Sequence, residues 1–446
     1  MPRKVFISFL GTTDYFPSMY YWGKKFCSNM EKYVQIAALQ YAQRNLIWTK
    51  NDIAYILLTE LAEKRNWHDN GYTDRNGNQN VGLKSTIQKM KFPFPCQPVF
   101  NIPEGRTEKE IWQIFKIIHD LIKDGDELFF DITHGYRYLP MLVVVLGNYS
   151  KFLEKAKVVH ILYGNYEGRD KDSCGEYIEP AHAPIVDLQS FSILQDWTYA
   201  VADFINNGNA DRMSDLTYDV SAPLIKKGHD RADAMNRLVL SIKDFAKDMQ
   251  TCRGKSIFKG TIITELKKNM LEVEEILHND HTEISVDQLL IPVFERIKEV
   301  IVQYNEKGDI SNGFQAVDWC LEHKLYQQAI TILQESVKSY FCQLLGLDMN
   351  NTDGRGIVEA LLNMAKYKNA AILPVEYGQP QGATKWSKVM KRIAGDYDAL
   401  RKLRNDFNHA GFNDLPATHS FIEETIKDRY KSIITILNIN LSTNNK

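Results

Sequence analysis

The sequence predicts an α/β domain built on a parallel, doubly wound sheet, followed by an all-α domain. Three observations carry this. Over roughly the first 185 residues, short β-branched and aromatic runs alternate with helical patterns. From about residue 190, apolar residues recur at helical spacing and strand-like patterns are scarce. The length of 446 residues corresponds to two or three domains at the usual ~150 each. The expected division is 1–188 and 189–446, with 189–310 as a candidate linking subregion.

In the first domain, Val5–Leu10 reads as a strand ending in Gly11-Thr12-Thr13, and Asp52–Leu58 as a second. Val99–Ile102 is a short third candidate. A helix is expected over Thr107–Lys123, with Ile111, Ile114, Phe115, Ile118 and Ile122 at helical spacing. Thr107 and Glu110 resemble a capping box at its start. Glu127–Ile132 is the next strand, Leu139–Phe152 a helix packed on the sheet, and Val158–Tyr163 a further strand. Ile185–Leu188 is expected to close the sheet.

The second domain reads as helices over Leu194–Asn206, Asp230–Met249, Thr261–Leu277, Val286–Tyr304, Ile310–Leu321 and Leu325–Leu345. Ile357–Lys366, Trp386–His409 and Phe421–Leu437 follow. Asn206–Asn209 and Thr352–Gly356 are expected turns, and Leu373–Thr384, with two prolines and two glycines, a loop. The tail Ser442–Lys446 is expected to fray.

Composition narrows the function. With 54 basic and 56 acidic residues, the chain lacks the cationic coat of a duplex-DNA binder. Its six cysteines contain no C-x-x-C pair, which argues against a zinc ribbon or thioredoxin-like motif and fits reduced thiols in a cytoplasm. No apolar run approaches the ~18 residues of a membrane span, and the N-terminal run is too short for a signal core. A soluble, cytoplasmic protein with no membrane partner is the expectation.

The most informative segment is Asp131-Ile132-Thr133-His134-Gly135-Tyr136-Arg137, at a strand end just before a helix. Backbone amides and a helix N-terminus hold phosphate at such a junction, and Arg137 adds a forked cation suited to it. Gly11-Thr12-Thr13 and Gly164-Asn165-Tyr166 end other strands at the same expected edge. Neither is a G-x-G-x-x-G or P-loop pattern, so an ordinary NAD or ATP site is disfavoured. Together they describe a polar, phosphate-friendly pocket without metal ligands. An ordinary polar β–turn–α junction is the competing reading, and Tyr166 fits half-buried packing as well as base stacking.

In the second domain, Arg404-Asn405-Asp406-Phe407-Asn408-His409 ends a helix, and Gly411 suits its stop. At about 100° per residue, Arg404 and Asn408 share a face, as do Asn405 and His409, while Arg404 and His409 lie about 140° apart. That favours a groove completed by a second helix. The residues suit metal-free phosphodiester cleavage. His409 would exchange protons near neutral pH, Arg404 would offset charge on phosphorus, and Asn405 and Asn408 would orient the phosphate or 2′-hydroxyl. The competing reading is that Arg404 and His409 satisfy the last carbonyls and the helix dipole.

Other features carry less. His278 and His281, with Asp280 between them, lack an evident third metal ligand. Lys267-Lys268 and Glu274-Glu275 read as solvated helix faces.

Asp131-Ile132-Thr133-His134-Gly135 with Arg137 resembles the D-x-T-H-G motif of CRISPR-associated proteins, where it lies in a Rossmann-like CARF sensor domain. Ile7–Thr12 resembles that family's first strand and ligand turn. Arg404–His409 resembles the R-x4–6-H motif of HEPN ribonucleases, and a helix over Ala316–Tyr340, with Ala329 and Glu335, resembles their helical half. The resemblance implies an ancillary type III effector: a CARF domain that binds cyclic oligoadenylate and switches on a metal-independent HEPN endoribonuclease acting on single-stranded RNA. Ligand residues would be Gly11, Thr12, Thr13, Asp131, Thr133, His134, Gly135, Arg137, Asn165 and Tyr166. Catalytic residues would be Arg404, His409, Asn405 and Asn408. It further implies a homodimer or higher homo-oligomer, no cofactor beyond the allosteric activator, and cyclic tetra-adenylate as that activator. Two alternatives remain at this stage: a non-catalytic ligand-binding regulator, and a sensor that also degrades its ring.

Overall fold

Period-two alternation organises the first strand, β1 (Lys4–Phe9). Val5, Ile7 and Phe9 join one apolar cluster and Phe6 the other. A strand buried on both faces must lie inside a sheet covered on both sides. The computed structural model, which describes residues 2–73, 77, 79–153, 155–225, 230–279, 286–366, 383–439 and 441, shows that arrangement. Two compact units emerge, Met1–Ile193 and Leu194–Lys446.

The first unit contains β2 (Ser18–Trp22), β3 (Phe26–Glu31), α1 (Val34–Gln43), β4 (Ile53–Leu57) and a single turn α2 (Glu60–Ala62) that runs into a π-helical turn over Glu63–Trp67. Next come α3 (Leu83–Met90), β5 (Cys96–Val99), α4 (Glu108–Leu121), β6 (Asp126–Asp131), α5 (Leu139–Phe152), β7 (Ala156–Gly164) and β8 (His182–Asp187). The strands form one sheet in the order β3-β2-β8-β7-β6-β1-β4-β5. β7, β6, β1, β4 and β5 run parallel. Helices α4 and α5 supply Ile114, Ile118, Leu142 and Leu146 to one face, and α1 supplies Ile36 and Leu39 to the other. After β1 the chain forms the β2–β3 hairpin at the far edge, comes back beside β1 at β4, moves outward to β5, and then returns to the opposite side of β1 at β6. The switch point, where such sheets bind ligands, therefore lies between β1 and β6.

Several expectations need correction. The sheet is mixed: β8 runs antiparallel to β7, and β2 antiparallel to β3. β8 does not close the sheet, because it also pairs with β2 and joins the β2–β3 hairpin to the rest. The third expected strand lies earlier, at Cys96–Val99. Thr107 does cap α4, accepting from Glu110 N, but the Glu110 carboxylate returns to Arg106 N.

The second unit is helical. It comprises α6 (Gln189–Asn207, which begins in the first unit), α7 (Asp211–Ile225), α8 (Asp230–Gln250), α9 (Gly254–Lys259), α10 (Thr261–Asn279) and α11 (Val286–Ile301). These are followed by α12 (Ile310–Glu322), α13 (Tyr326–Leu344), α14 (Thr352–Lys366), α15 (Ala383–Asn408) and α16 (His419–Leu437). Phe245, Tyr304, Phe314, Trp319 and Phe341 fill its core. The two helices expected over Ile310–Leu321 and Leu325–Leu345 are α12 and α13; the single helix over Ala316–Tyr340 that the resemblance implied is broken between them, where Lys324 takes φ +58°. The expected turn at Thr352–Gly356 is the first turn of α14, started by the Asn351 side chain accepting from Asp353 N. Asp280 and His281, most of the 373–384 loop and the 442–446 tail lie outside the described residues.

Candidate functional site

At the switch point the residues hold one another. Asp131, buried at the end of β6, accepts from Ser8 Oγ (2.7 Å), Thr133 N (3.0 Å) and Thr133 Oγ1 (2.6 Å). Burial still raises its pKa, and the hydrogen bonds from Thr133 and Ser8 oppose that rise. The Thr133 hydroxyl in turn accepts from Gly164 N at 2.8 Å, tying β6 to the end of β7. A Cβ at Gly164 would meet Val34 Cγ2 at 2.4 Å, so any side chain there would have to displace Val34.

The β1 loop is equally held. Gly11 N donates to the Tyr15 hydroxyl (2.8 Å), which also accepts from Gln35 (3.2 Å). Asn66 donates to both Gly11 O and Thr13 O at 2.9 Å. The Tyr15 ring stands edge-on to His134, with centroids 4.5 Å apart. Burial lowers the His134 pKa to about 4, so the ring stays neutral at physiological pH. Gly135 has φ +145°, and a Cβ there would lie 2.5 Å from Leu139 Cδ2. Helix α5 then starts with no side-chain cap at Tyr138; Leu139 N donates to Tyr136 O (2.9 Å), Leu142 N to Tyr138 O (3.0 Å), and Pro140 has no N–H.

The structure thus brings Gly11, Asp131, Thr133, His134 and Gly164 together at the parallel strand ends. Among the described residues Arg137 is exposed and carries no hydrogen bond or ion pair. Thr12 is half-buried and Thr13 exposed. Asn165 and Tyr166 are occupied within their own turn. The Asn165 side chain accepts from Gly168 N (3.0 Å), while Tyr166 stacks with Phe16 (6.2 Å, 17°) and lies under Arg169. Sequence reasoning missed Ser8, Tyr15, Gln35 and Asn66. The π-helical turn around Asn66 is the kind of irregularity that marks functional sites.

In the second unit, α15 ends in a Schellman arrangement. Gly411 N reaches Asp406 O (2.9 Å) and Ala410 N reaches Phe407 O (3.0 Å). The first left-handed residue is Ala410 (φ +51°), one before the expected Gly411. The loop beyond is tied back through the Asp406 carboxylate to Asn413 and to Ala417 N. Backbone therefore satisfies the last carbonyls. Arg404, Asn405, Asn408 and His409 make no side-chain hydrogen bond among the described residues. Asn405, Asn408 and His409 are exposed, while Arg404 is half-buried with its Nε buried and unpartnered.

Among the described residues no group of three or more His, Cys, Asp or Glu could hold a metal, and no helix is long and apolar enough to cross a membrane.

Residues 5–167 match the family model described as "CRISPR system endoribonuclease Csx1, CARF domain". A curated relative, CRISPR-associated protein MJ1674 of Methanocaldococcus jannaschii, is 22% identical over 312 residues, which is 69% of this chain and 42% of the relative. The aligned region thus spans less than half of that relative's length.

Proposed function

Starting from a CARF domain over residues 5–167 of a CRISPR-associated protein, we propose that the chain is a cyclic-oligoadenylate-activated, metal-independent endoribonuclease of type III antiviral defence. It cleaves single-stranded RNA through a dimeric HEPN site. The observation that carries this reading is the free state of Arg404, Asn405, Asn408 and His409 at a helix end whose carbonyls the backbone already caps. Polar side chains not needed for the fold are available for chemistry.

The reaction needs only RNA's own nucleophile. The 2′-oxygen bonds to phosphorus and loses its proton to an imidazole. The P–O5′ bond breaks, and the leaving oxygen takes a proton. The products carry 2′,3′-cyclic phosphate and 5′-hydroxyl ends. His409 exchanges protons, with one copy from each protomer able to serve as base and acid. Arg404 offsets the charge that builds on the phosphorane. The angular separation of Arg404 and His409 on one helix suits a groove shared by two protomers.

Pairing is supported in the first unit by an exposed apolar stripe on α5: Met141, Val145, Tyr149 and Phe152. α5 follows the Asp131–Arg137 loop directly, so an isologous contact along it sets two loops beside one two-fold axis, where a cyclic ligand fits. Arg137, exposed and unpaired among the described residues, would take its phosphates, and neutral His134 an adenine edge.

The test is a ribonuclease assay on labelled RNA with cyclic tri-, tetra- and hexa-adenylate in turn, with and without EDTA. Cleavage is expected with one ring, cyclic tetra-adenylate, and is expected to survive the chelator. Intact RNA with every ring would point to a non-catalytic regulator. Linear products from the ring itself would show that the sensor also degrades its ligand.

A further inference from the structure

The helical unit contains a cleft of about 520 Å³ that the Arg404–His409 turn does not line. Two close backbone approaches build it. At Gly260 (φ +69°) a Cβ would lie 2.5 Å from Glu306 O, and at Gly308 (φ +68°) 3.0 Å from Lys259 O. The end of α9 and the turn before α12 are therefore pressed backbone to backbone, which puts Lys259 and Lys307 on one cleft. Lys255 of α9 and Arg355 of α14 line it too.

Glu335 is the one carboxylate among the described lining residues, and it is paired with Arg355 and with Lys338 (3.1 Å). Lys255, Lys259 and Lys307 make no hydrogen bond or salt bridge among the described residues. Asp348, outside the lining, feels the charge of Lys255. Phe258 supplies an apolar wall, with its ring seated on Gly313, where a Cβ would come within 2.0 Å of it.

Unpaired ammonium groups around a concavity focus a positive field. A cation-lined groove with an aromatic wall is how single strands are held without sequence readout, by phosphate neutralisation and base stacking. The volume suits a nucleotide-sized group. We propose that this cleft is a subsite for a single-stranded RNA segment, in which Lys255, Lys259 and Lys307 contact phosphates and Phe258 contacts a base. The proposal rests on the ribonuclease reading and extends it to how substrate is held. Buried Tyr397 of α15 feels Glu335 and Arg355 of the cleft wall as well as Arg404, so cleft and motif share a neighbour.

The test uses the full chain carrying His409→Ala, so that bound RNA persists, and fluorescence anisotropy of a labelled single-stranded RNA. Adding Lys255→Ala and Lys259→Ala should raise Kd about ten-fold and reduce the salt slope by roughly 1.4, the value for two phosphate contacts on a single strand. Lys255→Arg with Lys259→Arg should restore both, which a merely structural role would not require. Unchanged Kd and slope in the alanine variant overturns the proposal. So does loss of AMP binding with RNA affinity intact, which would make the cleft a free-nucleotide site. If His409→Ala still cleaves RNA while the lysine variants weaken binding, the catalytic reading fails and the subsite stands.

Discussion

The strand-end loops of the sheet unit and the end of α15 carry similar polar residues in opposite states. Asp131 and Thr133 are consumed by one another, by Ser8 and by Gly164, and Gly11 by Tyr15 and Asn66. Arg404, Asn405, Asn408 and His409 are consumed by nothing described. A network whose members bond one another is held within one chain, although Gln35 Oε1 and Asn66 Oδ1 are left without a partner. A set with none supplied waits for something else to organise it. The comparison teaches that the polar residues of the first constellation are held in place within one chain, while those at the end of α15 are left unheld.

The contrast breaks most sharply at His409. His409→Ala should lower ligand-stimulated cleavage by roughly 10³-fold, within the range for a general acid–base, and leave ring binding unchanged in a calorimetric titration. Arg137, the unheld member of the first constellation, comes next. Arg137→Ala should weaken ring binding about ten-fold, the loss of one charge-assisted contact, with no change in melting temperature.

Thr133→Val attacks the held part. It leaves Gly164 N–H without its acceptor, at a cost of about 2 kcal/mol, and should lower the sheet unit's melting temperature by roughly 4–8 °C. His134 gives a smaller signal through pH. Its pKa is held down to about 4, against about 6.5 in an unfolded chain. Between those values the unfolded form binds more protons, so stability is complete above pH 6.5 and falls as pH drops toward 4. Melting curves across that window should be flatter for His134→Asn than for the parent chain. The smallest effect is a gain. Ala410 takes the left-handed cap position at φ +51°, so Ala410→Gly should stabilise the helical unit by about 1 kcal/mol and raise its melting temperature by a few degrees.

What could be read from sequence followed locality. Asp131–Arg137 is a strand end and turn just before a helix, all within nine residues, and its pattern is plain. Ser8 and Asp131 meet across 123 positions, and Asn66 and Gly11 across 55, so no local pattern announces them. The β2–β3 hairpin is hard to read from sequence because its run, Ser18–Trp22, is short and mostly aromatic. Its turn at Gly23 (φ +50°) was the available signal. Thr352–Gly356 read as a turn because of its two glycines. Gly354 instead serves a close approach, since a Cβ there would meet Asp348 O at 2.8 Å. The exposure of His409 could not be inferred, because helical periodicity says which residues share a face but not what covers it.

The placement of β8 has a mechanical consequence. It is the last strand before the chain leaves the sheet, and it is laced to β7 through Leu162–Asp187, Tyr163–Val186 and Gly164–Ile185. Gly164 is also the residue gripped by the Thr133 hydroxyl. The Thr133 hydroxyl is thereby joined, through Gly164, to a strand that ends one residue short of α6. The turn after β6 and the last strand of the sheet are thus knotted at a single glycine.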